Sequence, residues 1–360
     1  MTTLALGELG RHAIGQAGRF AWYLGHRLAA RRIAPRRPSP RAAGERRTAS
    51  RAEQAPHRRP PAFGELLADV AGLLARDAGN VALGLYPAPD DGDGPLPRRF
   101  ARFRDLLADV GLAEARRAGE GRTPVAALPG ARGLPAYYLN DFHFQEGGYL
   151  TDASARLYDT QVETLFIGAA NAMRRQALAP LARHFRTVDQ RGAALLDIGC
   201  GTGRFLYQAK QALPAIRAIG VDLSPAYLAE AARLLCGRRG VTLIQAPGEA
   251  LPLDDAGVDA AVSIFVFHEL PGDVRRAVAA EAARVLKPSA PFVLVDSLQT
   301  GDRPAWDMLL DGFQRSFNEP YYASYLADDL EACCAEAGLV LTASWTAYLS
   351  KVMVFAKTQS

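Results

Sequence analysis

The run Leu195-Leu196-Asp197-Ile198-Gly199-Cys200-Gly201-Thr202-Gly203-Arg204-Phe205 places an apolar stretch, a carboxylate and three alternating glycines directly before a helical pattern. Glycine turns tightly and lets a ligand approach backbone that any Cβ would push away. Such a turn between strand and helix suits a nucleotide-like ligand, and many nucleotide folds use one. Twenty-three positions after Gly199, Ala218-Ile219-Gly220-Val221-Asp222 forms a second apolar run ending in a carboxylate. An acidic side chain about 20 residues past the glycines, at the next strand's tip, is placed to accept hydrogen bonds from ribose hydroxyls. The competing role for Asp222, capping the following helix, falls better to Ser224, with Pro225 at the first helical position.

Proton chemistry has two candidate sources. The apolar run ending at Phe267 is followed by His268-Glu269-Leu270-Pro271. Ligands in an open α/β sheet sit beyond the carboxyl ends of the strands, so His268 and Glu269 point toward the reaction centre. Histidine titrates near neutral pH, and His268 could take a proton from a hydroxyl, amine or acidic carbon. The alternative is that His268 lines a pocket or bonds a loop. The second source is His143 with Asp141, inside Tyr137-Tyr138-Leu139-Asn140-Asp141-Phe142-His143-Phe144. That segment and a later cluster (Trp306, Phe313, Phe317, Tyr321, Tyr322, Tyr325) could wall a pocket for an apolar or ring-shaped ligand. Packing is the competing role of each. The four cysteines, Cys200, Cys236, Cys333 and Cys334, show neither a C-x-x-C pair nor zinc spacing, and no metal is expected.

The elements that must hold these residues fall into three zones. Residues 1–62 are a basic tail: a helix with an amphipathic pattern over Leu6–Arg32, then Pro/Arg-rich sequence from Pro35 to Pro61 that cannot bury enough apolar surface to fold alone. Residues 63–180 carry helical patterns at Phe63–Arg76, Arg98–Leu112 and Ser154–Ala179, separated by Pro-, Gly- or Asp-rich loops. In residues 181–360 short apolar runs alternate with helices. Strands are expected at Ala193–Ile198, Ala218–Val221, Val241–Gln245, Val258–Phe265 and Phe292–Val295, and helices at Phe205–Leu213, Ala226–Leu235 and Asp273–Leu286. That alternation implies a parallel sheet covered on both faces. Leu339–Trp345 and Tyr348–Ala356 are separated by too few residues for a parallel crossover, so an antiparallel hairpin ends the sheet.

Taken together, the motifs resemble class I S-adenosylmethionine-dependent methyltransferases. Leu-Leu-Asp-Ile-Gly-Cys-Gly-Thr-Gly at 195–203 looks like their glycine motif and Val-Asp-Leu-Ser at 221–224 like their second motif. Gly-Glu-Ala-Leu-Pro-Leu at 248–253, Val-Asp-Ala-Ala-Val at 258–262 and Ala-Arg-Val-Leu-Lys-Pro at 283–288 keep the family's order and spacing. The similarity is to the small-molecule group that includes ubiquinone and menaquinone C-methyltransferases, over about residues 190–300. It implies an α/β fold with a seven-stranded Rossmann-like sheet, a C-terminal antiparallel hairpin, a preceding helical region and S-adenosylmethionine as methyl donor. By the same resemblance Gly199, Gly201 and Gly203 approach the methionine moiety, Asp222 holds the ribose and Asp197 lies near the methionine amino group. One position departs: where the family places Asp or Asn for adenine, this chain has Pro247, which leaves the Gly248 amide or Glu249 for that task. Glu319-Pro320-Tyr321-Tyr322 is similar to the Asn-Pro-Pro-Tyr signature of adenine and glutamine N-methyltransferases only superficially, and lies too far past the fourth strand.

Charge divides the chain. Residues 1–60 hold thirteen Arg and three Glu, a net of +10, so the remainder sums to −6 although the whole is +4. The expected activity is methyl transfer to a small, lipophilic or aromatic acceptor, with O-, C- or N-methylation left open. The cysteine usage fits a reduced, cytoplasmic setting. The tail leaves three further readings. It could be an electrostatic arm for RNA or DNA, which the acidic body and the missing base-methylation motifs oppose. It could lay residues 6–32 on a membrane surface, through Phe20, Trp22, Tyr23 and Leu24. It could also be an organelle-targeting segment. A non-catalytic protein that binds the donor is the remaining alternative.

Overall fold

The computed structural model describes residues 3–33, 61–120 and 123–359. The expectation for the Pro/Arg-rich sequence falls almost wholly on residues 34–60, outside the described residues. The chain opens with helices α1 (Thr3–Ile33), α2 (Phe63–Ala82) and α3 (Leu96–Arg117). A strap over residues 123–151, with four short 3₁₀ turns between 125 and 144, leads to α4 (Asp152–Leu165), α5 (Ala170–Arg175) and α6 (Leu178–Phe185). Then β1 (Ala194–Ile198), α7 (Arg204–Ala212), β2 (Arg217–Asp222), α8 (Pro225–Leu234), β3 (Val241–Gln245), β4 (Ala260–Ile264), α9 (Gly272–Val285) and β5 (Pro291–Ser297) alternate. The chain closes with α10 (Asp307–Phe317), α11 (Tyr322–Leu326), α12 (Leu330–Glu336), β6 (Leu339–Ala347) and β7 (Ser350–Lys357).

The seven strands form one sheet in the order β3-β2-β1-β4-β5-β7-β6. β1 to β5 are mutually parallel, and β7 runs antiparallel between β5 and β6. Every residue of β1 and β4 is buried, as expected of central parallel strands with helices on both faces. Ser224 caps α8, its hydroxyl accepting from the Tyr227 amide at 3.1 Å, with Pro225 at the first helical position. That leaves Asp222 free of capping duty.

Two expectations need correction. The helix expected over Ser154–Ala179 is three helices. The chain breaks at Ile167 and Gly168, both in left-handed backbone (φ 55° and 79°), because α1 crosses there: a Cβ on Gly168 would stand 3.1 Å from the Arg19 carbonyl oxygen. The second concerns the aromatic face of residues 6–32, which is turned into the protein. Tyr23 is buried, Phe20 packs on the main core, and Trp22 sits edge-on to Phe100 with the Arg99 guanidinium over its ring. Arg19 enters a buried set of carboxylates: Nη2 is 2.7 Å from Glu163, and Nη1 meets Asp93. His12 stands 3.0 Å from Asp77, which also pairs with Arg175 at 2.8 Å. An amphipathic pattern requires an apolar partner without naming it, and here α2, α3 and α4 are the partner. Among the described residues no helix is long and apolar enough to cross a membrane.

Candidate active site

The tips of β1, β2 and β4 converge on one cleft. The amides of Gly199 and Cys200 both donate to Val221 O, at 2.8 and 3.0 Å, tying the glycine turn to β2. Gly199 has φ 73°, and a Cβ there would meet Val266 at 2.5 Å, so the turn tolerates only glycine at this point. Asp222 accepts from the Gly201 amide at 2.8 Å and the Ser224 amide at 2.8 Å. A carboxylate has about four acceptor directions, so capacity for a ligand remains. Gly203 (φ 76°) precedes the first residue of α7.

The roof of the cleft comes from the strap and from α4. Tyr137, Tyr138, Tyr149 and Tyr158 line it, facing Gly199, Gly201, Asp222, Gly248, Glu249 and Glu269 across the cavity. Two strap phenols reach the floor: Tyr137 donates to Glu249 at 2.6 Å and Tyr149 to Glu269 at 2.5 Å. The Ser224 hydroxyl donates to Tyr149 O at 2.6 Å, which pins the strap to the start of α8. Of the first aromatic segment, Tyr137, Tyr138 and Phe142 line the cavity. The second divides: Tyr322 and Tyr325 are buried and pack edge-on against His268, Trp306 is core, and Phe317 abuts His143.

At one end a recess is lined by Asp197, Arg174, Tyr158 and the glycine turn. Asp197 is 2% exposed and its Oδ2 has no hydrogen-bond partner. Burial, reinforced by Asp222 and opposed by Arg174, lifts its pKa to about 8. A buried acceptor without a donor beside a guanidinium is complementary to the ammonium and carboxylate of an amino-acid zwitterion. Near Gly248, Glu249 Oε2 likewise has no partner. These groups fit S-adenosylmethionine at its methionine end and offer one acceptor for the amino group of adenine.

A cluster of ionisable groups also borders the cavity. Glu269 lines the cavity, whereas His268 and His143 stand behind it. His268 Nδ1 is 2.5 Å from Asp296 Oδ1. Burial works against a charge on this ring, but Asp296 and Glu319 outweigh it and raise its pKa to about 10. His143 Nε2 lies 3.0 Å from Glu319 and 3.6 Å from Glu269, and Glu319 raises its pKa against the pull of burial. Burial lifts Glu269 to about 7, against the two imidazoliums. Both histidines named from the sequence are therefore in the cluster, the charged form of each favoured by its neighbouring carboxylates, and the carboxylate next to His268 is the group that faces the cavity. Asp296, Arg174 and Glu319 were missed. Asp296 carried a readable signal, an acid near the tip of a strand, as at Asp197 and Asp222.

This sheet, with its glycine turn after β1 and a carboxylate closing β2, is the arrangement that the resemblance to class I S-adenosylmethionine-dependent methyltransferases implies. Residues 195–289 match the family model described as a methyltransferase domain. A ubiquinone/menaquinone biosynthesis C-methyltransferase of Syntrophotalea carbinolica is 33% identical over 42% of this chain and 60% of its own length. A demethylmenaquinone methyltransferase of Deinococcus radiodurans is 30% identical over 39% of this chain and 55% of its own. A probable tRNA methyltransferase 9B of Bos taurus is 35% identical over 32% of this chain and 24% of its own. The chain thus spans between 24% and 60% of these relatives.

Proposed function

We propose that this protein transfers a methyl group from S-adenosylmethionine to a small, largely apolar or aromatic acceptor that gives up a proton. The observation that carries the reading is the single cleft in which the glycine turn, Asp222 and Glu269 face a roof of tyrosines. S-adenosylmethionine, when bound, supplies an electrophilic methyl group on sulfur. Asp222 holds the ribose, Asp197 and Arg174 hold the methionine zwitterion, and Glu249 accepts from the adenine amino group. The roof excludes water and keeps the acceptor's nucleophilic atom in line, an arrangement that lowers a barrier by up to roughly 7–11 kcal/mol. Glu269 takes the acceptor's proton.

Calorimetric titration with S-adenosylmethionine and S-adenosylhomocysteine tests the donor half. Wild type is expected to bind both at micromolar concentration. Asp222→Asn removes charge-assisted hydrogen bonds worth about 1.5–3 kcal/mol, a loss of tenfold or more in affinity. A wild-type protein that binds neither nucleotide overturns the reading.

Asp197 adds a pH dependence. With its pKa raised to about 8, the free protein holds this carboxyl protonated at pH 7, and its folded state loses stability as pH rises from the ordinary carboxylate range toward 8. An ammonium group favours the ionised form, so binding expels a proton. Affinity for S-adenosylhomocysteine should strengthen between pH 6 and 7, approaching tenfold per unit, because the ligand's amine stays charged over that range. Asp197→Asn should flatten the profile. An affinity in wild type that ignores pH would remove Asp197 from the ammonium site.

A further inference from the structure

Glu319 has no part in the reading above, yet it is only 1% exposed and sits within the acceptor end of the site. It follows α10, where Asn318 adopts left-handed backbone (φ 52°, ψ 57°) and donates through Nδ2 to Asp141 O at 2.8 Å, locking this turn against the strap. Glu319 Oε1 lies 3.0 Å from His143 Nε2 and Oε2 lies 3.8 Å from His268 Nε2, ion-pair contacts in which neither oxygen, nor His143 Nε2, completes a hydrogen bond. His268 already has Asp296 at 2.5 Å. His143 has two carboxylates within reach, Glu319 at 3.0 Å and Glu269 at 3.6 Å, and its ring is flanked edge-on by Phe317 and Tyr149.

We propose that Glu319 is a positioning residue of the acceptor site: it engages the His143 imidazolium so that this cation does not close on Glu269, and Glu269 stays free to take the acceptor's proton. The proposal rests on the reading of Glu269 as the base. The groups that face Glu269 are His268 beside it, His143, Tyr138 and Tyr149 of the strap, Tyr158 of α4, Tyr227 of α8, and Glu319, with Asp296 of β5 acting through His268. In this set each imidazolium has a carboxylate of its own, and Glu269 has a phenol. Without Glu319 the nearest anion to His143 is Glu269, and the base would be spent in an ion pair.

The test needs neither donor nor acceptor, so its failure is separable from failure of methyl transfer. Glutamate labelled at the side-chain carboxyl carbon is followed by NMR across pH in the full chain. The resonance titrating near 7 is assigned by its loss in Glu269→Gln. In Glu319→Gln this titration is expected to fall by about 1–2 pH units, the size of effect an adjacent opposite charge exerts. Glu319→Asp, which keeps the charge, should restore it. The double variant Glu319→Gln, His143→Gln should return close to the wild-type value, since the cation that closes on Glu269 is gone. If Glu319→Gln fails to fold, His143→Gln alone should raise the Glu269 titration. An unmoved Glu269 in Glu319→Gln overturns the proposal, as does a double variant that falls as far as the single, or a His143→Gln that leaves Glu269 unshifted or lowered.

Discussion

Glu269→Gln is expected to lower the rate of methyl transfer about 10²–10⁴-fold, the range a positioned base contributes. Affinity for S-adenosylhomocysteine should change little, because Glu269 is not among the residues that line the Asp197 recess. The pH profile supplies the second readout. A base acts when ionised, and with Glu269 lifted to about 7 by burial, kcat/KM should rise with pH and level off above 7. The variant should lack that limb. The measurement is transfer of labelled methyl to a panel of lipophilic phenols and enols, at several pH values. A variant that keeps the wild-type rate and limb would move the base elsewhere, and an acceptor that needs no deprotonation would then be the simpler account.

The other large effect lies behind the Asp197 recess, where Arg19 shares Glu163 with Arg174. Arg19→Met should cost about 3–5 kcal/mol of stability, the range for removing one partner of a buried ion pair. The guanidinium is enclosed among Glu163, Asp91 and Asp93 and also donates to Gly168 O at 3.3 Å. Removing it takes away the cation shared by Glu163 of α4 and by Asp91 and Asp93 of the loop between α2 and α3, leaving them Arg174 at 3.7 Å, Arg175 at 2.5 Å and Arg204 at 3.9 Å respectively. The damage should reach the cleft, since Glu163 Oε1 accepts the Asn171 amide at 2.9 Å and α5 carries Arg174. Chemical denaturation reads the stability, and calorimetry of the surviving fold reads the donor site. A loss under about 1 kcal/mol, the worth of an exposed pair, would make α1 an appendage rather than part of the core.

How far these features could be read from the sequence depends on how local they are. The glycine turn, Asp222 and the seven strands declare themselves within about ten residues each, because strand burial, turn chemistry and capping are written in neighbours. Ser224 and Pro225 marked the start of α8 for the same reason. The break at Gly168 was hidden, since its cause is the backbone of α1. The inward face of α1 was hidden too: an apolar stripe reads the same against protein as against lipid. In the cleft, His268 was found but its state was not. Its neighbour Asp296 is 28 residues away, and the strap phenols meet Glu249 and Glu269 across 112 and 120 residues. Pattern reading supplies the groups and tertiary contact decides which of them hold protons.

The origin of the cleft's two walls has a consequence for variation. Its floor is made by residues between 198 and 278, with the sheet beneath, and most of its roof by residues 137–158, which belong to no strand. Substitutions at Tyr138 or Phe142 reshape what the cleft admits without touching the hydrogen-bond ladder of β1, β2 and β4. Mutational drift in the roof therefore explores new guests while the floor keeps its donor, and a library confined to the roof is the economical route to altered selectivity.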